Sequence, residues 1–160
     1  FMPRGKNVPK RVIMPEPKFG SVLLAKFINM IMKNGKKTIA QDIVYTALDK
    51  IAEVKKETNC LKLFTEIIDA VKPQVEVRSR RVGGANYQVP MPVSSERQNA
   101  LAFRWIIAAA MARKGKAMSE RLSSEMTDAL AGTGGAIKKK EDTHRMAEAN
   151  KAFAHFARRA

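Results

Sequence analysis

The stretch Glu76-Val-Arg-Ser-Arg-Arg-Val-Gly-Gly-Ala-Asn-Tyr-Gln-Val-Pro90 decides how the rest of this chain is read. Val75 and Val77 alternate with Glu76 and Arg78, the two-residue period of a strand. Gly83-Gly84 supplies adjacent positions that tolerate positive φ, as a tight hairpin turn requires. Tyr87 to Val89 is the return, so a hairpin spans about 74–90, with Arg78, Arg80 and Arg81 massed on the approach to its turn. A two-stranded ribbon alone is marginal in water. One that projects from a domain is therefore expected to gain order from a partner, and its arginines specify a phosphate-bearing one.

On both sides the pattern is helical. Upstream, Val22, Leu23, Ile28, Ile31 and Met32 form a stripe that begins after Ser21 and stops at Asn34-Gly35. Ile39, Ile43, Val44, Ala47, Leu48 and Ile51 then recur at steps of three and four. A third helix begins after Thr58 or Asn59, turns Leu61, Phe64, Ile67, Ile68 and Val71 inward, and is closed by Pro73. Downstream, Ser95-Glu-Arg-Gln98 reads as a capping box opening a helix whose inner side is Leu101, Arg104, Trp105, Ala108, Ala109 and Ala112. A fifth helix carries Met118, Leu122, Met126 and Leu130 and ends at Gly132-Thr-Gly-Gly135; a sixth runs from about Ala136 to Ala149. The expected fold is mostly α, a single domain of about six helices with a β-hairpin protruding between the third and fourth. Residues 1–20, interrupted by Pro3, Pro9, Pro15 and Pro17, read as an extended basic arm. Residues 21–156 form the domain and 157–160 a short tail.

Charge names the class of partner. Thirty Lys and Arg against 15 Asp and Glu leave a formal net charge of +15 on 160 residues, which calls for a polyanion. Basic clusters recur: Arg4, Lys6, Lys10 and Arg11 in the arm, Lys33, Lys36 and Lys37 at one helix turn, Arg113, Lys114 and Lys116 at another, and Lys138 to Lys140 opening the last helix. Each alone has the composition of a solvated face. Together they suit a folded RNA, which offers phosphates in several directions. The helix, tight turn and helix over 21–55 also fit a DNA-binding regulator, but the second helix opens with lysines and lacks the set of side chains that reads base edges.

Catalytic readings find little to stand on. Gly35-Lys-Lys-Thr38 resembles the end of a phosphate loop, yet Met30 stands where that loop needs glycine and a helix precedes it rather than a strand. Gly132-Thr-Gly-Gly135 lies between helices, outside the strand, turn and helix setting of a dinucleotide site. The only histidines, His144 and His155, and the only cysteine, Cys60, do not make up a zinc site, and a catalytic Cys60 or His144 is the third alternative. One cysteine excludes an internal disulfide and points to a reducing compartment. No cofactor and no metal is expected. No apolar run approaches the ~20 residues of a membrane span, and Phe1-Met-Pro-Arg-Gly-Lys-Asn7 lacks the apolar core of a secretory signal.

Several long motifs carry a resemblance: Pro15-Glu-Pro-Lys-Phe-Gly-Ser21, Gly35-Lys-Lys37, Val44-Tyr45, the Val75 to Pro90 segment, and Lys138-Lys-Lys-Glu-Asp-Thr-His-Arg-Met-Ala-Glu-Ala-Asn-Lys-Ala-Phe-Ala-His155. Through them the chain resembles the small-subunit ribosomal protein seven family of the bacterial type, from about Met2 to Phe156. The resemblance implies a non-catalytic protein of translation that binds the 3′ major domain of small-subunit ribosomal RNA directly. It also implies that the protein nucleates assembly of the subunit head and lines the exit site near transfer RNA and messenger RNA. Carried over by position, Arg78, Arg80, Arg81, Gly83 and Gly84 fall on the hairpin and Arg145 on the final helix, all at the exit site. Arg4, Lys6, Lys10, Arg11, Lys36 and Lys37, with Arg113, Lys114 and Lys116, fall on the ribosomal RNA. The further implied partners are neighbouring head and platform proteins, and the implied location is the cytoplasmic ribosome, with an organellar ribosome as the alternative. The chain departs from the family at the single Arg4 before Gly5, at the less basic Ser95 to Asn99, and at its ending Phe156-Ala-Arg-Arg-Ala160.

Overall fold

Ser21 sets the first helix: its hydroxyl accepts the Leu24 amide N–H at 3.3 Å, so the apolar run behind it folds as α1 (Val22–Ile31). A computed structural model describes residues 11–158; Arg4, Lys6 and Lys10, in the first half of the basic arm, lie outside them. Beyond Met32, Asn34 and Gly35 both take positive φ, and the chain reverses into α2 (Lys37–Lys55). Asn59 caps α3 (Cys60–Val71), its side chain accepting the Lys62 N–H at 3.1 Å. Then come β1 (Val75–Val82) and β2 (Ala85–Pro92), followed by α4 (Ser95–Ala112), α5 (Met118–Leu130), α6 (Gly135–Ala149) and a 3₁₀ helix over Lys151–Arg158. The helical domain with one antiparallel hairpin between α3 and α4 is as expected; the terminal 3₁₀ helix is additional.

The core is organised around three phenylalanines, one each from α1, α3 and α4. Phe27 lies 5.3 Å from Phe64 and 5.2 Å from Phe103 between ring centroids, and Phe64 and Phe103 are 6.4 Å apart. Each such ring contributes about 1.5–3 kcal/mol by leaving water. Val44, Leu48 and Ile51 of α2 and Leu122 and Met126 of α5 complete the buried cluster.

These phenylalanines also correct the helix faces. On α1 the buried set is Leu24, Ala25, Phe27, Ile28 and Ile31, while Val22 is exposed. On α4 it is Leu101, Ala102, Phe103, Ile106 and Ala110, with Arg104 and Ala108 exposed and Trp105 only partly covered. An alanine-rich helix has little contrast between faces, so its rotation is set by where its largest buried ring fits. The capping box is also absent. Ser94, not Ser95, is the N-cap, and its side chain makes no cap bond; the Gln98 N–H donates to the Ser94 carbonyl at 2.9 Å as ordinary helix bonding does.

The hairpin pairs Arg78 with Val89, Arg80 with Tyr87 and Val82 with Ala85 around Gly83 (φ 58°) and Gly84 (φ 90°), the two positive values of a primed turn. Pairing continues to Val75 with Pro92, two residues past the expected end. The ribbon's order comes from within the chain. Tyr87 packs against Phe153 and Phe156 of the 3₁₀ helix, each at 5.2 Å, and the Arg80 guanidinium donates to the Phe156 carbonyl at 2.6 Å. The expected dependence on an outside partner is thus corrected, because the last residues supply the missing apolar surface.

The extended arm likewise gives way at Glu16. This carboxylate, 3% exposed, accepts the backbone N–H groups of Lys18 and Phe19, each at 2.7 Å, and the Tyr45 hydroxyl. Phe19 meets Tyr45 edge to face at 6.1 Å, so residues 16–20 form a turn docked on α2.

Candidate nucleic-acid interface

The two-residue period of β1 separates its arginines. Glu76, Arg78 and Arg80 share one face; Val77, Ser79 and Arg81 share the other. On the first face Val89 is fully buried and Tyr87 is clasped by the C-terminal aromatics, so this face looks toward the domain. Arg78 is over half exposed and is held by Glu76, which accepts from its Nε at 2.6 Å and from Arg97 Nε at 3.2 Å. Arg80 is half-buried and bonded to the C-terminal segment. Arg81 is exposed, next to the exposed Gly83 and Gly84. The arginine mass expected at the tip is therefore divided, with Arg81 facing solvent and Arg78 and Arg80 ordered by internal partners.

At another part of the domain two basic turns come together. The α1–α2 turn carries exposed Lys33, Lys36 and Lys37, and the α4–α5 turn carries exposed Lys114 and Lys116 around Gly115. Lys33 and Lys36 line one groove with Met111, Met118 and Arg121, which places the two turns beside each other. Arg11 is exposed as well. Such ammonium groups on flexible stems bind phosphates as point charges.

Arg113 belongs to this turn in sequence, but its guanidinium turns inward onto acids of α5 and stays one-third exposed. Its Nε and Nη2 donate to Glu125 Oε2 at 2.9 and 2.7 Å, and Nη2 also donates to Asp128. The hydrogen bond to Asp128, ahead of the contact with Glu125, raises its pKa further above the ordinary arginine value. Glu125 is 1% exposed, and its other oxygen accepts the Ala136 N–H at 2.9 Å. That bond caps α6, whose preceding residue Gly134 (φ 97°) has no side chain to offer; a Cβ there would sit 3.0 Å from the carboxylate. Arg121 serves the same corner, donating through Nη1 to the Arg113 carbonyl at 2.9 Å. Glu125 and Arg121 went unnoticed in the sequence, since an acid and a base amid helical polar residues read as solvated.

On α6, Lys138 and Lys139 are exposed while Lys140 reaches the Ala70 carbonyl at 2.7 Å and so satisfies the end of α3. His144 Nε2 accepts the Gln74 N–H at 3.2 Å, pinning the base of the hairpin to the helix. Arg145 is largely exposed and pairs with Asp142 at 3.1 Å. Among the described residues no group of three or more metal-ligating side chains converges, and no helix is long and apolar enough to cross a membrane.

A single helical domain with exposed lysine turns and a clasped basic ribbon has the features of a protein that binds a polyanion. The sequence matches the family described as Ribosomal protein S7p/S5e over residues 3–151, and the chain belongs to that family. Its relatives include proteins named small ribosomal subunit protein uS7 from several bacteria. The one from Hydrogenovibrio crunogenus is 57% identical over 155 residues, and those from Desulfotalea psychrophila and Rhodospirillum centenum are 56% identical over the same length. Each alignment covers 97% of this chain and 99% of the relative. The family is one of structural ribosomal proteins, not of enzymes.

Proposed function

We propose that this chain, as a structural component of the small subunit in the cytoplasmic ribosome, binds the 3′ major domain of small-subunit ribosomal RNA and nucleates head assembly. Lys36, Lys37, Lys114 and Lys116, with Arg11 and the arm residues Arg4, Lys6 and Lys10, neutralise ribosomal RNA phosphates. Arg113 acts here through Glu125, fixing the turn that carries its two lysine neighbours. Arg81 with Gly83 and Gly84 at the hairpin tip, Arg78 further down the same ribbon and Arg145 on α6 stand beside exit-site transfer RNA and messenger RNA. Arg80 positions the ribbon. The observation that carries this reading is the clasp: a basic ribbon held by its own chain can present a fixed tip to a partner without an ordering cost.

The test is binding of the purified chain to the 3′ major domain RNA, to an unrelated structured RNA and to duplex DNA across a salt series. Selective binding that persists at high salt is the expected result, because counterion release alone is steeply salt-dependent and blind to sequence. Replacing Lys36 and Lys37 by Ala lowers the logarithmic salt slope by about 1.5–2. Arg81→Ala leaves that binding unchanged and instead weakens exit-site transfer RNA retention in assembled subunits. Equal affinity for all three nucleic acids, or loss of assembly on Arg81→Ala with normal exit-site behaviour, would contradict the assignment.

A further inference from the structure

Glu16 is the only acid in residues 1–20, set among five basic residues, and it is buried rather than turned outward to a partner. It closes a turn at the root of the basic arm. Its side chain accepts the Lys18 and Phe19 N–H groups and the Tyr45 hydroxyl, its carbonyl accepts the Gly20 N–H at 2.8 Å, and its own N–H donates to the Ser21 carbonyl at 3.3 Å. The turn is fastened to α2 from outside as well. Lys18 Nζ lies 5.0 Å from the Tyr45 ring centroid and 5.2 Å from that of Phe19, and 3.5 Å from Asp49 of α2. Tyr45 thus meets Glu16, Lys18 and Phe19 together.

A turn fixed in this way acts on whatever is tethered to it. Arg11 stands five residues before Glu16, so a fixed Glu16 keeps it within about 18 Å of that anchor. With the turn released, the tether is rooted instead at Ser21, the cap of α1, and is ten residues long for Arg11. The effective concentration of a tethered contact falls about as the −3/2 power of tether length, so this doubling lowers it about threefold. We propose that Tyr45, acting through Glu16, is a positioning residue for the basic arm: it holds the arm's root against α2, so that Arg11 and the cations before it reach RNA phosphates with less conformational freedom to lose. The proposal rests on the reading that the arm meets ribosomal RNA.

The experiment is a double-mutant cycle in the full chain, read as affinity for the 3′ major domain RNA at a salt concentration where all the chains bind. Tyr45→Leu removes the hydroxyl and the ring without changing charge, and Arg4→Gln, Lys6→Gln, Lys10→Gln and Arg11→Gln together neutralise the arm. Hydrogen exchange reads the release itself: the Lys18 and Phe19 amides should exchange about tenfold faster in Tyr45→Leu while the α3 amides keep their protection. Tyr45→Leu should weaken RNA binding about threefold in the parent and under about 1.3-fold in the chain with the neutral arm. A merely structural role would weaken both alike. Equal losses in the two backgrounds, no loss in the parent, or unchanged protection of the two amides overturns the proposal. Arm neutralisation that leaves the parent's affinity intact would instead sink the arm's assignment to RNA, and this proposal with it. If Tyr45→Leu lowers the melting temperature of the whole domain, Phe19→Leu, which releases the turn from its own side, carries the same cycle with the same expected and overturning results.

Discussion

Replacing Glu125 by Gln should be among the most damaging isosteric changes in this chain. The substitution keeps the volume of a side chain that is 1% exposed, so no cavity forms and the loss is electrostatic. One carboxylate oxygen takes two N–H groups of Arg113 and the other takes the Ala136 N–H. A glutamine has one acceptor oxygen for these two duties and turns an amide donor toward whichever donor is left. Removing one partner of a buried ion pair costs about 3–5 kcal/mol. The lower figure applies, because Arg113 is one-third exposed and keeps Asp128. A domain of this size loses roughly 2–4 °C in Tm per kcal/mol, so ~3 kcal/mol becomes a fall of about 6–12 °C. Calorimetry with a matching urea titration reads it, and an unchanged m-value certifies that the native state is intact. Arg113→Met alone should also destabilise, while pairing it with Glu125→Met should recover part of the loss. Shifts under about 2 °C for both Glu125→Gln and Glu125→Ala would refute this account of the corner.

Three further outcomes are expected. Gly134→Ala forces a Cβ to 3.0 Å from Glu125 Oε1 at a φ of 97°, and should cost about 1–3 kcal/mol in the same melting assay. Tyr87→Ala removes both aromatic contacts of the clasp, and hydrogen exchange should accelerate in the hairpin while the α1–α3 amides keep their protection; uniform protection would count against the clasp. The hydrogen bond from Lys50, and then its charge, holds the Glu120 carboxyl below its ordinary value of 4.5. A depressed folded-state pKa gives stability that is present above 4.5 and lost as pH falls through the folded value. The difference between the parent and Glu120→Gln should therefore be seen at neutral pH and vanish in acid.

Element type was legible from the sequence because the signals were local. Gly83-Gly84 between alternating residues, Pro73 after α3 and the left-handed Gly35 each act within a few residues of themselves. Helix rotation was not, since the turning of Arg104, Ala108 and Ala112 of α4 to solvent follows from the seating of Phe103 on Phe27 and Phe64, which are remote in sequence. The candidate interface divides in the same way. The exposed lysines at the helix turns could be read directly as charge at turns, but Arg113 and Arg80 are committed by Glu125 and by the Phe156 carbonyl, partners 12 and 76 residues away. No spacing in the chain encodes those contacts.

The clasp gives the hairpin an order in time as well as in space. Translation produces Arg80 long before Phe156, 76 residues later, so during synthesis the ribbon emerges with no surface to lie on. The helices from α1 to α3 can already close around Phe27 and Phe64, whereas the basic tip stays loose until the 3₁₀ helix over Lys151–Arg158 has emerged. The one element shaped to meet a partner at a fixed angle thus becomes rigid only after residues 151–158 have joined it.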